Sequence, residues 1–152
     1  ARAEIMWCGS LSHNGLTGCG TCGGDWATHL IEHELGGMFD VAHGAGLAAV
    51  WGSWARYVMD EKPERFAQFA VNVMGVEECE DIKATAIKGI EAVQDFYREI
   101  EMPTNLKELG IDPTDEQIKD MAMKATNNDT QQLGAFKKLS AKDLVEIYTA
   151  AK

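Results

Sequence analysis

Three of the four histidines in this 152-residue sequence lie close together, and neutral imidazole nitrogen is a good ligand for a divalent metal such as Zn(II) or Fe(II). His29 and His33 are four residues apart, which places both rings on one face of a helix. His43 follows ten residues after His33, at the beginning of the next predicted helix. If the two helices pack side by side, all three rings meet. The spacing therefore predicts a metal or catalytic site.

The same residues allow two other hypotheses. The segment from His29 to His33 reads H-x-x-E-H, the inverted zincin pattern, in which both histidines bind zinc and Glu32 is the general base. In such a metallopeptidase His33 would be a ligand and His43 would not. A histidine on a helix is also commonly an ordinary hydrogen-bonded residue, so a non-enzymatic helical interaction module is the third hypothesis.

Cysteines offer a second possible site. Cys19 and Cys22 form a C-x-x-C pair, which occurs in redox motifs and as half of a zinc site. A structural zinc site usually has a second such pair, and this sequence has none. A thioredoxin-like motif follows a strand, whereas this pair lies between glycines. We therefore interpret all four cysteines as reduced thiols.

The elements that must position these residues differ in composition along the chain. Residues 1–50 hold six of the 38 charged side chains, and residues 1–54 hold eleven of the 15 glycines. An uncharged, glycine-rich, histidine-bearing segment is where a buried site is expected. The formal net charge of −10 argues against nucleic-acid or anionic membrane partners. No apolar run approaches the roughly 20 residues of a membrane span, so we expect a cytoplasmic protein.

Hydrophobic periodicity and capping residues predict a set of helices and no strand. Asp25 is a favoured cap for the second helix, which the pair Gly36-Gly37 is expected to end. Small residues in the third helix would let other backbones approach closely. The expected fold class is all-α, a helical bundle. The predicted helices cover residues 1–13, 25–35 and 44–59, a segment beginning at Pro63, residues 80–100, and segments capped by Thr114 and Ser140.

Two stretches carry a family resemblance. Residues 24–35 (GDWATHLIEHEL) and 39–48 (FDVAHGAGLA) resemble the signature of the iron-containing (group III) alcohol dehydrogenases, nearest the butanol dehydrogenase-like branch. Segments 6–7, 14–16, 103–110 and 139–148 are also similar, so the resemblance covers nearly the whole chain. It implies a bundle like the α-domain of dehydroquinate synthase-like proteins. Residues 1–152 would then be the metal-binding C-terminal helical domain, and the N-terminal dinucleotide-binding domain is absent from this chain.

The resemblance also implies roles for the histidines. His29 and His43 match the family's metal-binding histidines. His33 matches a histidine near the nicotinamide and the substrate, which implies a catalytic proton relay and a contact with the cofactor. The remaining Asp and His ligands come from before this segment in the family. The implied metal is Fe(II) or Zn(II), acting as a Lewis acid while hydride moves to or from the nicotinamide of NAD(P)H.

The implied partners are a small alcohol or aldehyde, butanol being one example, and the absent N-terminal domain. We also expect a homo-oligomer, because related enzymes are commonly dimers or larger and a helical domain alone exposes its apolar cleft wall. Two imidazoles bind a metal weakly compared with four ligands. We therefore expect the 152-residue chain to be inactive by itself.

Overall fold

The architecture is helical throughout. A computed structural model describes residues 1–21 and 23–152. Within these ranges the only β pairing is an isolated bridge between Leu133 and Leu139, so the predicted all-α fold is confirmed. No helix in the described part of the chain is long and apolar enough to cross a membrane. The α-helices are α1 (Arg2–His13), α2 (Ala27–Phe39), α3 (His43–Val58), α4 (Pro63–Asn72), α5 (Ile82–Glu99), α6 (Asp115–Ala125) and α7 (Ala141–Ala150), with 3₁₀ turns at Leu16–Gly18 and Met59–Glu61.

Helix α2 is longer at its end than predicted. The expected stop at Gly36-Gly37 is wrong, because the helix continues to Phe39 and is followed by Asp40 in the left-handed region at φ 54°. A glycine inside a helix costs about 1 kcal/mol relative to alanine. Here that cost is offset because Met38 and Phe39 pack against the hydrophobic core. The connection to α3 is therefore only residues 40–42.

The predicted caps of the last two helices are confirmed. Thr114 and Gln117 form a reciprocal capping box at the beginning of α6. Ser140 forms the same arrangement with Asp143 at the beginning of α7. These caps satisfy backbone N–H groups that have no partner inside a helix. Both helices therefore begin where the sequence indicated.

Helix α3 lies at the centre of the bundle and packs against α2, α5 and α7, while α2 also packs against α6. Ile31 and Leu35 of α2 are fully buried in the resulting core. The Tyr148 hydroxyl of α7, also fully buried, donates a 2.6 Å hydrogen bond to the Ile31 carbonyl. Burial raises the pKa of this phenol, so it stays protonated and keeps donating. The burial of Ile31 and Leu35 and the hydrogen bond from Tyr148 together fix α2 against the rest of the domain.

The first helix contributes nothing to this core. α1 has no buried residue, and Ile5, Met6 and Trp7 are exposed, so the apolar surface expected from the sequence is present but uncovered in this chain.

Asp25 connects the beginning of α2 to a distant loop. The sequence predicted that Asp25 is the helix cap, but the cap position is Trp26. Asp25 Oδ1 accepts a 2.8 Å hydrogen bond from the Ala27 backbone, as in an Asx turn. Its Oδ2 accepts from the backbone N–H groups of Ala135 and Phe136, at 2.8 and 2.7 Å. One carboxylate therefore holds the entry of α2 against residues 134–136.

Helices α4 and α5 approach each other most closely at Gly89. An added Cβ at Gly89 would lie 2.9 Å from the Cα of Ala70, inside the distance that real Cβ atoms tolerate. We expect Gly89→Ala to lower the free energy of unfolding by about 1–3 kcal/mol through overpacking. Gly37→Ala is the matched control, because nothing lies within 4 Å of its added Cβ and it gains helix propensity. Urea unfolding of both variants measures the difference, and equal stability would contradict this packing.

Asp25→Ala tests the tether at α2. It removes the acceptor of three backbone hydrogen bonds, so we expect a loss of about 2–3 kcal/mol of unfolding free energy. Asp95→Ala is the control, since its carboxylate pairs with Arg98 on the exposed surface, where such a pair contributes about 0–1 kcal/mol. Thermal unfolding of the two variants compares them. A loss at Asp25 no larger than at Asp95 would show that the tether does not stabilise the fold.

Candidate metal centre

The three histidines predicted to meet do lie together. His29 and His33 lie on α2, and His43 is the first residue of α3. The ring centroids of His29 and His43 are 5.3 Å apart, those of His33 and His43 are 5.5 Å apart, and those of His29 and His33 are 6.5 Å apart. The short connection between α2 and α3 brings His43 back over α2. The hypothesis of a non-enzymatic interaction module would be favoured by three rings that point apart, so this clustering speaks against it.

A buried carboxylate lies beneath the cluster. Glu32 is 1% exposed although it is charged, and its Oε2 contacts Nδ1 of His43. Charged side chains are rarely buried unless they are paired. Its second oxygen, Oε1, is buried without a hydrogen-bond partner among the described residues. Glu32 is therefore part of the site, directed toward His43.

The carboxylate fits because α3 has a glycine opposite it. A Cβ added to Gly46 would lie 2.6 Å from Glu32 Oε1, so a side chain at this position would force the carboxylate to move. The small residues of α3 were expected to let other backbones approach closely. At Gly46 the group that lies closest to α3 is the Glu32 carboxylate of α2.

His29 is the most enclosed of the three histidines. Its Nδ1 is buried and has no hydrogen-bond partner among the described residues, and its ring packs against the edge of Trp26 at 4.9 Å. Burial lowers the pKa of His29, and the neighbouring rings of His43 and His33 lower it further. A lowered pKa keeps the imidazole neutral, which is the form that binds a metal.

The donor set fits a divalent cation. One donor atom each from Glu32, His33 and His43 lies within 4.8 Å of the others, and His29 adds an unpartnered nitrogen nearby. Imidazole and carboxylate ligands suit Zn(II) and Fe(II) alike.

The arrangement disfavours the metallopeptidase hypothesis. In that hypothesis Glu32 is a general base that must reach a water molecule at the metal. Here Glu32 is buried and its carboxylate faces His43. The pattern H-x-x-E-H is present, but its glutamate is directed into the protein.

The cysteine prediction is tested only in part. Cys8, Cys19 and Cys79 form no disulfide with one another. Cys22 lies outside the described residues, so the reduced state of the Cys19–Cys22 pair stays a prediction.

The contact between Glu32 and His43 was not predicted from the sequence. Glu32 was considered only as the base of a peptidase, because its partner is eleven positions away on another helix. A signal was present: Glu32 is one of six charged residues among the first 50, and its neighbour Ile31 lies on an apolar stripe.

Comparison with known proteins shows the family. Residues 15–152 match the model of the Fe-containing alcohol dehydrogenase family, C-terminal. NADH-dependent butanol dehydrogenase A of Clostridium acetobutylicum is 32% identical over 97% of the chain, and a probable NADH-dependent butanol dehydrogenase 1 of Bacillus subtilis is 36% identical over 99%. The crystal structure of NADH-dependent butanol dehydrogenase A from Thermotoga maritima superimposes with a TM-score of 0.87 at 33% identity, over 99% of the chain.

The chain spans 38% of the length of each of these three proteins. Both the helical architecture and the sequence therefore correspond to one part of the known enzymes. The resemblance seen around the three histidines extends over the whole described fold, and the chain belongs to the Fe-containing alcohol dehydrogenase family, where it matches the C-terminal helical domain.

Proposed function

We propose that residues 1–152 are the metal-binding C-terminal domain of an NAD(P)H-linked alcohol dehydrogenase or aldehyde reductase that acts on small alcohols such as butanol. The observation that carries the proposal is the cluster of three imidazole rings at the junction of α2 and α3, within a chain of this family. A second, dinucleotide-binding domain would supply the nicotinamide and the remaining metal ligands. We propose a homo-oligomer in the cytoplasm as the state of this enzyme.

We assign the metal to His29 and His43. Ring spacing does not separate His29 from His33, because both rings lie about equally close to His43, and the donor atoms within 4.8 Å of one another are those of Glu32, His33 and His43. Burial supports the assignment, since His29 has a buried, unpartnered nitrogen and a lowered pKa, while His33 is exposed. An enclosed neutral imidazole is the better ligand, because water competes less for the ion. Both Fe(II) and Zn(II) suit this pair.

The exposed His33 has a different task in this proposal. A bound metal supplies Lewis acidity to the substrate oxygen, as in other metal-dependent dehydrogenases. His33 lies at the rim of the cluster, where its ring can hold a proton and exchange it with water. We assign to His33 the proton that the substrate oxygen gains or loses, and a contact with the nicotinamide.

Trp26 gives the site an apolar wall. Its ring packs edge-on to His29 and is still 56% exposed, so it presents hydrocarbon surface beside the assigned metal ligand. Apolar surface next to a polar centre favours a short alkyl chain that carries a terminal hydroxyl or aldehyde. This agrees with a small aliphatic alcohol as the substrate.

The ligand assignment predicts distinct effects of the three histidines. In the complete enzyme, we expect His29→Ala and His43→Ala to lose the bound metal, because each removes one of the ligands. We expect His33→Gln to keep the metal and to lower kcat about 10²- to 10⁴-fold, as for loss of a general acid or base. Elemental analysis gives the metal per chain, and NADH oxidation with butanal gives kcat.

His13→Ala is the control, since the fourth histidine lies exposed on α1. It should change neither quantity. Metal loss in His33→Gln together with metal retention in His43→Ala would contradict the assignment and support the peptidase ligand set.

The isolated 152-residue chain should show no turnover. It carries two of the assigned ligands and no proposed dinucleotide site, so butanal and NADH have no complete site to react in. The measurement is NADH oxidation by the purified chain in the presence of Fe(II) or Zn(II), with the complete enzyme as the positive control. Metal-dependent turnover by the isolated chain would contradict the proposal that a second domain supplies the dinucleotide site and the remaining metal ligands.

A further inference from the structure

We propose that Glu32 is the positioning residue of the metal centre: it holds His43 through Nδ1 so that Nε2 is the nitrogen presented to the metal. The proposal rests on the proposed function, since it takes His43 as a metal ligand. It assigns a role to a residue that the ligand set itself does not include.

The contact fixes the tautomer of His43. A carboxylate accepts hydrogen bonds, so the Nδ1 that faces Glu32 Oε2 carries the proton. The lone pair of the neutral ring then lies on Nε2. Metal-binding histidines commonly use this arrangement, in which the second nitrogen donates to a carboxylate and the metal affinity rises.

Packing alone does not hold the His43 ring. Its side chain is 51% exposed, whereas that of Glu32 is 2% exposed. His43 is also the first residue of α3, directly after the connection from α2. The buried carboxylate is therefore the rigid partner, and it limits the orientations that the exposed ring can take.

The space for the carboxylate is built into α3. Gly46 lies one helical turn after His43, and a Cβ there would collide with Glu32 Oε1 at 2.6 Å. The glycine at this position lets α3 approach α2 closely enough for the carboxylate to reach Nδ1. The helix that carries the ligand thus also makes room for the group that orients it.

Charge gives a further reason to expect a cation at this cluster. Among the described residues, His43 is the ion-pair partner of Glu32, and Oε1 has no hydrogen-bond partner. A buried carboxylate without full compensation is costly. A divalent cation bound to Nε2 of His43 would lie near the Glu32 carboxylate, with the imidazole ring between them, and would compensate its negative charge.

Substitutions at Glu32 test the positioning role in the complete enzyme, with Co(II) as the probe metal. Glu32→Gln keeps the shape and an acceptor oxygen but removes the charge, and Glu32→Ala removes the partner altogether. We expect Co(II) affinity to fall about 10-fold in Glu32→Gln and about 100-fold in Glu32→Ala, the range for loss of such a partner. The visible absorption bands of bound Co(II) should shift in both variants.

Glu34→Gln is the matched control. It neutralises a partly buried carboxylate two residues away on α2, whereas the carboxylate that contacts His43 is that of Glu32. Its Co(II) affinity and spectrum should match those of the unchanged enzyme. A purely structural role of Glu32 would lower thermal stability but leave the spectrum of the bound Co(II) unchanged.

Gly46→Ala displaces the carboxylate without removing it. Its added Cβ collides with Glu32, whereas nothing lies within 4 Å of a Cβ added to Gly44. We therefore expect Gly46→Ala to weaken Co(II) binding and Gly44→Ala to leave it unchanged, with circular dichroism to verify that both remain helical.

Two results would overturn the positioning role. One is wild-type Co(II) affinity and spectrum in both Glu32 variants. The other is complete loss of Co(II) in Glu32→Gln, equal to that in His43→Ala, which would make Glu32 itself a ligand. Failure of the unchanged enzyme to bind Co(II) is a separate outcome, because it would overturn the proposed function on which this role rests.

Discussion

The contact between the buried carboxylate of Glu32 and the ring of His43 sets the geometry of the site. It joins the middle of α2 to the first residue of α3, so the connection between them must be short and must reverse direction. It also depends on the glycine at position 46, since a side chain there would displace the carboxylate. The same reversal brings the ring of His43 beside that of His29, so that both could bind one metal ion.

The rest of the bundle holds α2 in the position that this contact needs. Tyr148 of α7 donates to the carbonyl of Ile31, the residue before Glu32. Asp25 anchors the beginning of the same helix to residues 134–136. The C-terminal part of the chain, where most charges lie, thus supports a site formed by the uncharged part. The net charge of −10 describes these outer helical faces, and the buried Glu32 is the charge that concerns the chemistry.

Local signals predicted much of this fold, and contacts between distant residues account for what they missed. Capping boxes at Thr114 and Ser140 marked helix starts correctly because a cap is formed by residues three positions apart. The four-residue spacing of His29 and His33 placed both rings on one face of α2 for a similar reason, whereas their meeting with His43 rested on the expectation that α2 and α3 pack side by side. The end of α2 was predicted too early, because packing of Phe39 against the core outweighs the preference of two glycines. The contact of Glu32 with His43 was not predicted, because no short-range pattern indicates which residue of α3 a side chain of α2 meets.

We have proposed that His29 and His43 bind the metal while Glu32 orients His43 through its other ring nitrogen. The most direct measurement is anomalous diffraction at the metal edge from crystals of the complete enzyme loaded with Fe(II) or Zn(II). We expect an anomalous peak in contact with His29 and with Nε2 of His43, and the Glu32 carboxylate in contact with Nδ1. A peak bound by His29 and His33, with His43 outside the coordination shell, would contradict it.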